Sequence, residues 1–172
     1  MPVSRRNQRA PTIASNLSDV SPRLPDETDV LVVGGGPAGS AAAIELARAG
    51  KAVTIVDKST FPRDKCCGDG LTTLALRELE HLDFEVDRVD SFTPIDGARL
   101  RSPSGREFKV PLPTTGTYAA VARRIDLDAR LLEHAQRAGA QVLQGVSVTG
   151  ARHSGNRTEI DLEGLGTIAP SS

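Results

Sequence analysis

Only two cysteines occur in the 172 residues, and they are neighbours, Cys66 and Cys67. That excludes a disulfide framework, because a bridge between adjacent residues closes a strained small ring, and two thiols do not complete a closed zinc site. The pattern implies a reduced, cytoplasmic chain. Neither sign of charge is in excess: 21 Lys and Arg stand against 22 Asp and Glu, a net charge of −1. There is accordingly no electrostatic footprint for nucleic acid and no polybasic surface for anionic lipid. No apolar run approaches the roughly 20 residues of a membrane span, and the first residues lack the hydrophobic segment of a secretory signal.

What remains is an ordinary globular composition, 38% hydrophobic and 25% charged, long enough for one core and one domain. Residues 1–28 stand apart, with four prolines, four arginines and few large apolar side chains. They are expected to form a disordered lead. Arg5, Arg6 and Arg9 precede any acidic residue, and a solvated tail is favoured over a targeting peptide. The sequons at Asn16 and Asn156 are expected to be chance matches. The folded part then opens at Asp29.

Residues 29–58 read as a strand, a glycine turn, an alanine-rich helix and a second strand. Val30–Val33 are continuously apolar, as suits a parallel strand. Gly34 permits the turn out of it, Gly36 lets the backbone approach a pyrophosphate, and Gly39 lets helix and strand pack closely. Pro37 and Ala38 open the helix, where a missing N–H costs little, and Gly50 ends it. The diphosphate is expected on the helix N-terminus, where unpaired N–H groups and the helix dipole favour negative charge. Asp57 closes the second strand, followed by Lys58; its carboxylate suits the ribose hydroxyls and repels a 2′-phosphate. This unit serves FAD and NAD(P) alike, so 29–172 is expected to be a partial FAD/NAD(P)-binding domain.

Further along, Leu71, Ala75, Leu79 and Leu82 recur at helical spacing. Gly97 to Val110 predicts a hairpin around Ser102–Gly105. Asp126 is expected to cap a helix over Leu127 to Ala138, supported by Asp126/Arg130 and Glu133/Arg137 pairs. Gly139 ends that helix, Ala140 to Val148 predicts a third parallel strand, and Thr158 to Leu162 one arm of an antiparallel crossover. His81, His134 and His153 are expected on exposed helix faces or in a loop, without a role.

The stretch Ser59 to Leu71 resembles the segment after the second strand in the geranylgeranyl reductase family of flavoproteins, approximately FPRxKxCG(G/D)GL. The matching positions are Phe61, Pro62, Arg63, Lys65, Cys67, Gly68, Asp69, Gly70 and Leu71, with Cys66 where proline is more usual. A second stretch, Arg124 to Asp128, resembles the Arg-x-x-Phe/Leu-Asp signature shared with aromatic hydroxylases, in which the arginine lies against the flavin. The resemblance implies an α/β fold: a Rossmann-like FAD-binding domain with a parallel sheet, incomplete here, plus the start of an antiparallel substrate-side sheet at 97–110.

It also implies FAD as cofactor and an oxidoreductase that reduces isoprenoid carbon–carbon double bonds by flavin hydride transfer. The flavin monooxygenases and halogenases, and a non-catalytic nucleotide-binding remnant, are the alternatives. Cys67 is the candidate catalytic residue, as an acid, a polarizable contact or simply a small residue in a tight turn. Arg63 and Lys65 are candidates for phosphate oxygens against a solvated alternative, Gly68, Asp69 and Gly70 for the cofactor loop, and Arg124 for the flavin. The resemblance covers residues 29 to about 150 and only the front of such an enzyme; its later Gly-Asp segments are absent from these 172 residues. The first strand is therefore expected at a sheet edge, and the chain alone is expected to be marginally stable, to hold FAD poorly and to need a C-terminal half. A peripheral membrane contact through a lipid substrate is a further expectation.

Overall fold

A computed structural model describes residues 23–25, 27–155 and 157–171. Most of the lead at 1–28 and both sequon asparagines lie outside the described residues. Along the chain run β1 (Val30–Val33), α1 (Pro37–Arg48), β2 (Val53–Asp57), β3 (Gly70–Leu71), α2 (Thr73–His81), a 3-10 turn (Val86–Arg88), β4 (Thr93–Pro94), β5 (Gly97–Arg101), β6 (Glu107–Pro111), β7 (Ala120–Val121), α3 (Arg124–Arg137), β8 (Gln141–Gln144), β9 (Val148–Ser154), β10 (Arg157–Leu162) and β11 (Gly166–Ile168).

The parallel sheet has the order β1-β2-β8, with Val30 opposite Val53 and Thr54 opposite Gln141. All five residues of β2 are buried, and strand alternation sends them to two different layers. Val53 and Ile55 join Ala43 and Ile44 of α1 and Leu127, Leu131, Leu132 and Ala135 of α3 in the main core. Val56 turns the other way and meets Leu143, Val146, Leu162 and Ile168 beneath the antiparallel sheet β11-β10-β9. Each fully buried Val, Leu or Ile contributes about 1.5–3 kcal/mol, so β2 is the strand on which both layers depend.

Packing begins ahead of Asp29. Leu24 lies against the second core, and buried Thr28 shares a hydroxyl hydrogen bond of 2.7 Å with Thr54. The N–H of Ser171 donates to the Thr28 carbonyl at 3.0 Å, bringing two distant segments together. β1 lies at the edge of its sheet, and Val33 is 62% exposed.

The hairpin is present as β5 and β6, paired Gly97 with Pro111 through Arg101 with Glu107. The stripe of α2 buries Leu79 and Leu82, and Thr72 caps it by accepting from the Ala75 N–H at 3.3 Å. Several readings need correction. α3 starts at Arg124 with Arg123 at the N-cap, and Asp126 sits inside the first turn. There its carboxylate takes the guanidinium of Arg123 at 3.0 Å, and Arg130 turns to Glu133 at 3.0 Å, so neighbours three apart replace the expected pairs four apart. The third parallel strand stops at Gln144, because Gly145 takes a left-handed φ of 72° and the chain leaves the sheet. His134 is not exposed: its Nε2–H donates to the Leu82 carbonyl at 2.7 Å, and its ring meets Phe84 edge-on at 5.7 Å. His153 lies on β9 rather than in a loop.

Candidate cofactor site

Between β1 and α1 the backbone turns on Gly34, whose φ of 104° is left-handed and favours glycine. Pro37 is the first helical residue, and no side chain caps Gly36. The opening N–H groups of α1 therefore face outward as an anion-binding end. A Cβ at Gly39 would lie 1.9 Å from the Gly34 carbonyl oxygen and 3.2 Å from Val32, a contact only glycine tolerates. Ser40, fully buried, donates its hydroxyl to the Gly35 carbonyl at 3.2 Å and holds the turn against the helix.

Asp57 fastens this turn from β2. Its Oδ2 accepts the Gly35 N–H at 2.8 Å and its Oδ1 accepts the Ser59 N–H at 2.8 Å. A carboxylate oxygen has further lone pairs, so the side chain holds the turn and still offers acceptors to a neighbouring hydroxyl. Past the carboxyl ends of the three parallel strands lies a cleft of about 540 Å³, lined by Val33, Gly34, Asp57, Lys58, Arg63 and Val146 among others. Open α/β sheets bind ligands at this position, and the volume falls in the usual range of about 300–1,000 Å³.

A second group of residues converges beside the glycine turn. Asp128 on α3 is fully buried and accepts three charge-assisted hydrogen bonds: from Arg124 Nε at 2.6 Å, from Arg124 Nη2 at 2.7 Å and from Arg63 Nη1 at 2.9 Å. Arg63 also lies over the Phe61 ring, 4.6 Å from its centroid. A Cβ at Gly36 would stand 3.5 Å from Arg63 Nη2 and 3.7 Å from Arg124 Nη2. Both cations thus reach the residue that precedes α1.

The loop that carries Cys67 is anchored at both ends. The Phe61 N–H donates to Gln144 Oε1 at 2.6 Å. The Asp69 carbonyl accepts the Ala122 N–H at 2.9 Å, and β3 pairs with β7. Asp69 has a φ of 54°, an uncommon left-handed conformation for a side-chain-bearing residue. Cys66 and Cys67 are both exposed free thiols. A hydrogen bond from the Asp69 backbone, and after it the Arg124 guanidinium, holds the Cys67 thiol below its ordinary range. Arg124 is held more firmly cationic, first by its hydrogen bond to Asp128.

Residues 27–166 match the family described as FAD binding domain. The chain belongs to that family. FAD is its cofactor, and the parallel sheet, glycine turn and flanking antiparallel strands are the Rossmann-type α/β fold expected of it. Menaquinone reductase of Mycobacterium tuberculosis is 41% identical over 138 residues, 80% of this chain and 34% of that protein. Geranylgeranyl diphosphate reductase of Rhodobacter capsulatus is 38% identical over 127 residues, 74% of this chain and 30% of that protein. Among solved structures, a geranylgeranyl bacteriochlorophyll reductase-like protein of Thermoplasma acidophilum superposes with a TM-score of 0.71 at 27% identity, covering 83% of this chain and 36% of that one. Flavin-dependent halogenases are also similar. The resemblance to geranylgeranyl reductases is borne out, and the chain spans about a third of the length of the curated relatives it matches.

The FAD binding domain offers features that suit a dinucleotide: a glycine turn on a left-handed Gly34, a Gly39 without room for a side chain, an uncapped helix N-terminus, and two guanidinium groups beside it. Of the residues singled out from the sequence, Gly34, Asp57, Lys58, Arg63 and Lys65 share the cleft. Gly36, Arg63, Arg124 and Cys67 form the neighbouring group, so Arg63 links the two. Gly68 and Gly70 lie exposed on the thiol loop, and Lys65 is exposed at the rim of the cleft. Arg63 departs from the solvated alternative, because Asp128 takes it out of water. Asp128 was legible as part of the Arg124–Asp128 signature, but its burial and its second arginine were not. Among the described residues no helix is long and apolar enough to cross a membrane.

Proposed function

We propose that the protein carrying this domain is an FAD-dependent reductase of isoprenoid carbon–carbon double bonds. The observation that carries the reading is the Cys67 thiol beside Arg124, on a loop anchored next to the glycine turn. Bound and reduced, FAD supplies a hydride to one carbon of the double bond. Cys67 holds a proton at Sγ for the other carbon, and its lowered affinity for that proton makes it the better acid. Arg124, kept cationic by Asp128, stabilises the thiolate left behind.

In this reading Gly34, Gly36, Ala38 and Gly39 hold the diphosphate with Pro37 starting the helix, and Arg63 and Arg124 add positive charge. Asp57 takes the ribose and Lys58 lines its cleft, while Gly68, Asp69 and Gly70 shape the loop against the flavin. The menaquinone and geranylgeranyl reductases among the relatives support an isoprenoid chain as substrate. Such a substrate brings the protein to the cytoplasmic side of a membrane as a peripheral visitor.

The test is anaerobic incubation of the full-length protein with reduced FAD and a geranylgeranyl lipid or menaquinone. The expected product gains two hydrogen atoms per reduced double bond by mass. Oxygen-dependent hydroxylation or halogenation, with no anaerobic reduction, would overturn the reading in favour of a monooxygenase or halogenase.

A further inference from the structure

Asp128 is fully buried, yet it accepts from two arginines that come from segments far apart in the chain. One carboxylate against two guanidinium groups leaves one positive charge in excess. That excess faces Gly36 and the uncapped end of α1, since Nη2 of each arginine lies within 3.7 Å of where a Gly36 side chain would begin. The Arg124 contact is a two-pronged fork of 2.6 and 2.7 Å within α3, which fixes the plane of that guanidinium. The Arg63 contact of 2.9 Å draws the loop after β2 onto the same anchor.

We infer that Asp128 is a positioning residue that seats Arg63 and Arg124 as a matched pair for the anionic part of the dinucleotide. Without it, the two cations repel each other and turn to solvent, and the helix N-terminus meets the diphosphate alone. Asp128 acts through the arginines and touches no ligand. The inference rests on the diphosphate lying at that N-terminus, as proposed above.

A purely structural role for Asp128 would weaken every ligand alike, so the informative quantity is the preference for a diphosphate over the bare nucleoside. Calorimetric titration of the full-length protein with FAD, ADP and adenosine measures it. Asp128→Asn is expected to weaken ADP about tenfold or more, in the range of a lost charge-assisted contact, and to leave adenosine within about twofold. Adding Asp128→Asn to the Arg63→Gln/Arg124→Gln pair is expected to cost little beyond that pair alone, since neither cation that Asp128 seats remains.

Equal losses for ADP and adenosine, an unchanged ADP preference, or a full further loss from Asp128→Asn in the background lacking both arginines would overturn the inference. If Asp128→Asn does not fold, Arg63→Gln decides. It removes a partly exposed group, and it must lower the ADP-to-adenosine ratio severalfold; an unchanged ratio overturns the inference. A wild-type protein that binds neither FAD nor ADP would instead sink the reading of the site itself.

Discussion

Gly39 and Gly34 are in backbone contact: a methyl group on Gly39 would lie 1.9 Å from the Gly34 carbonyl oxygen. The first turn of α1 is pressed onto the end of β1 there, which aims the helix N-terminus past the turn. Gly39→Ala forces the helix off the strand, an overpacking cost of about 3 kcal/mol or more. Urea unfolding is expected to show that loss, and FAD titration a weaker complex, because the displaced turn no longer presents its N–H groups together.

Asp57 supports the same turn from the other side by accepting the N–H groups of Gly35 and Ser59. Asp57→Ala leaves both donors without a partner in a largely buried position, a cost of about 2–4 kcal/mol. Asp57→Asn keeps one acceptor oxygen and turns a donor toward the other N–H, so its loss should fall between wild type and Asp57→Ala. Denaturant midpoints of the three proteins give the order.

The two adjacent thiols differ in their surroundings. Cys67 has the Asp69 backbone and Arg124 beside it, and its proton is held less tightly than an ordinary cysteine's. Because the thiolate is the nucleophile, Cys67 should reach its half-maximal rate of iodoacetamide alkylation at a lower pH than a free cysteine. A lowered pKa means that thiolate persists as pH falls through the ordinary cysteine range and is lost only below the shifted value. Arg124→Gln should move the Cys67 profile back toward higher pH, as read by peptide mass spectrometry. A profile at or above the ordinary range in the wild type would contradict the contact.

The β5–β6 hairpin shows Leu100, Phe108 and Val110 to solvent, at 58%, 58% and 47% exposure. The register sets Ala98 beside Val110 and Leu100 beside Phe108, so these side chains form one apolar face opposite Arg99 and Lys109. Leu100→Ser with Phe108→Ser should reduce concentration-dependent association of the chain in light scattering and leave its unfolding midpoint nearly unchanged.

In the main core, Leu131 of α3 is 1% exposed, in one cluster with residues of α1 and the sheet. Leu131→Ala is expected to cost about 2–5 kcal/mol, measured by thermal or urea unfolding. A loss below about 1 kcal/mol would show that α3 is not seated on the sheet.

The βαβ unit was legible because each of its signals is local. An apolar run before Gly34, a proline at the first helical turn and glycines at the helix ends act within a few residues of where they stand. The bounds of β1 and the end of α1 follow from them, as do the buried face of α2 and the hairpin. The misread start of α3 has an equally definite cause. Asp126 has the chemistry of a cap, but Arg123 lies close enough to claim its carboxylate within the first turn. The roles of His134 and Arg63 were hidden for another reason: their partners, Leu82 and Asp128, are remote in the chain. No spacing rule brings such pairs together.

By itself the sequence determined the glycine turn, the helix that follows and the acidic close of β2, because steric freedom at glycine and strand alternation are properties of neighbouring residues. Only the tertiary structure decided that Asp128 lies out of water between two arginines, that one of them comes from the loop after β2, and that both face Gly36. A buried charge must find its counter-charge wherever the fold brings one, and that choice is made by packing α3 and the thiol loop against the parallel sheet.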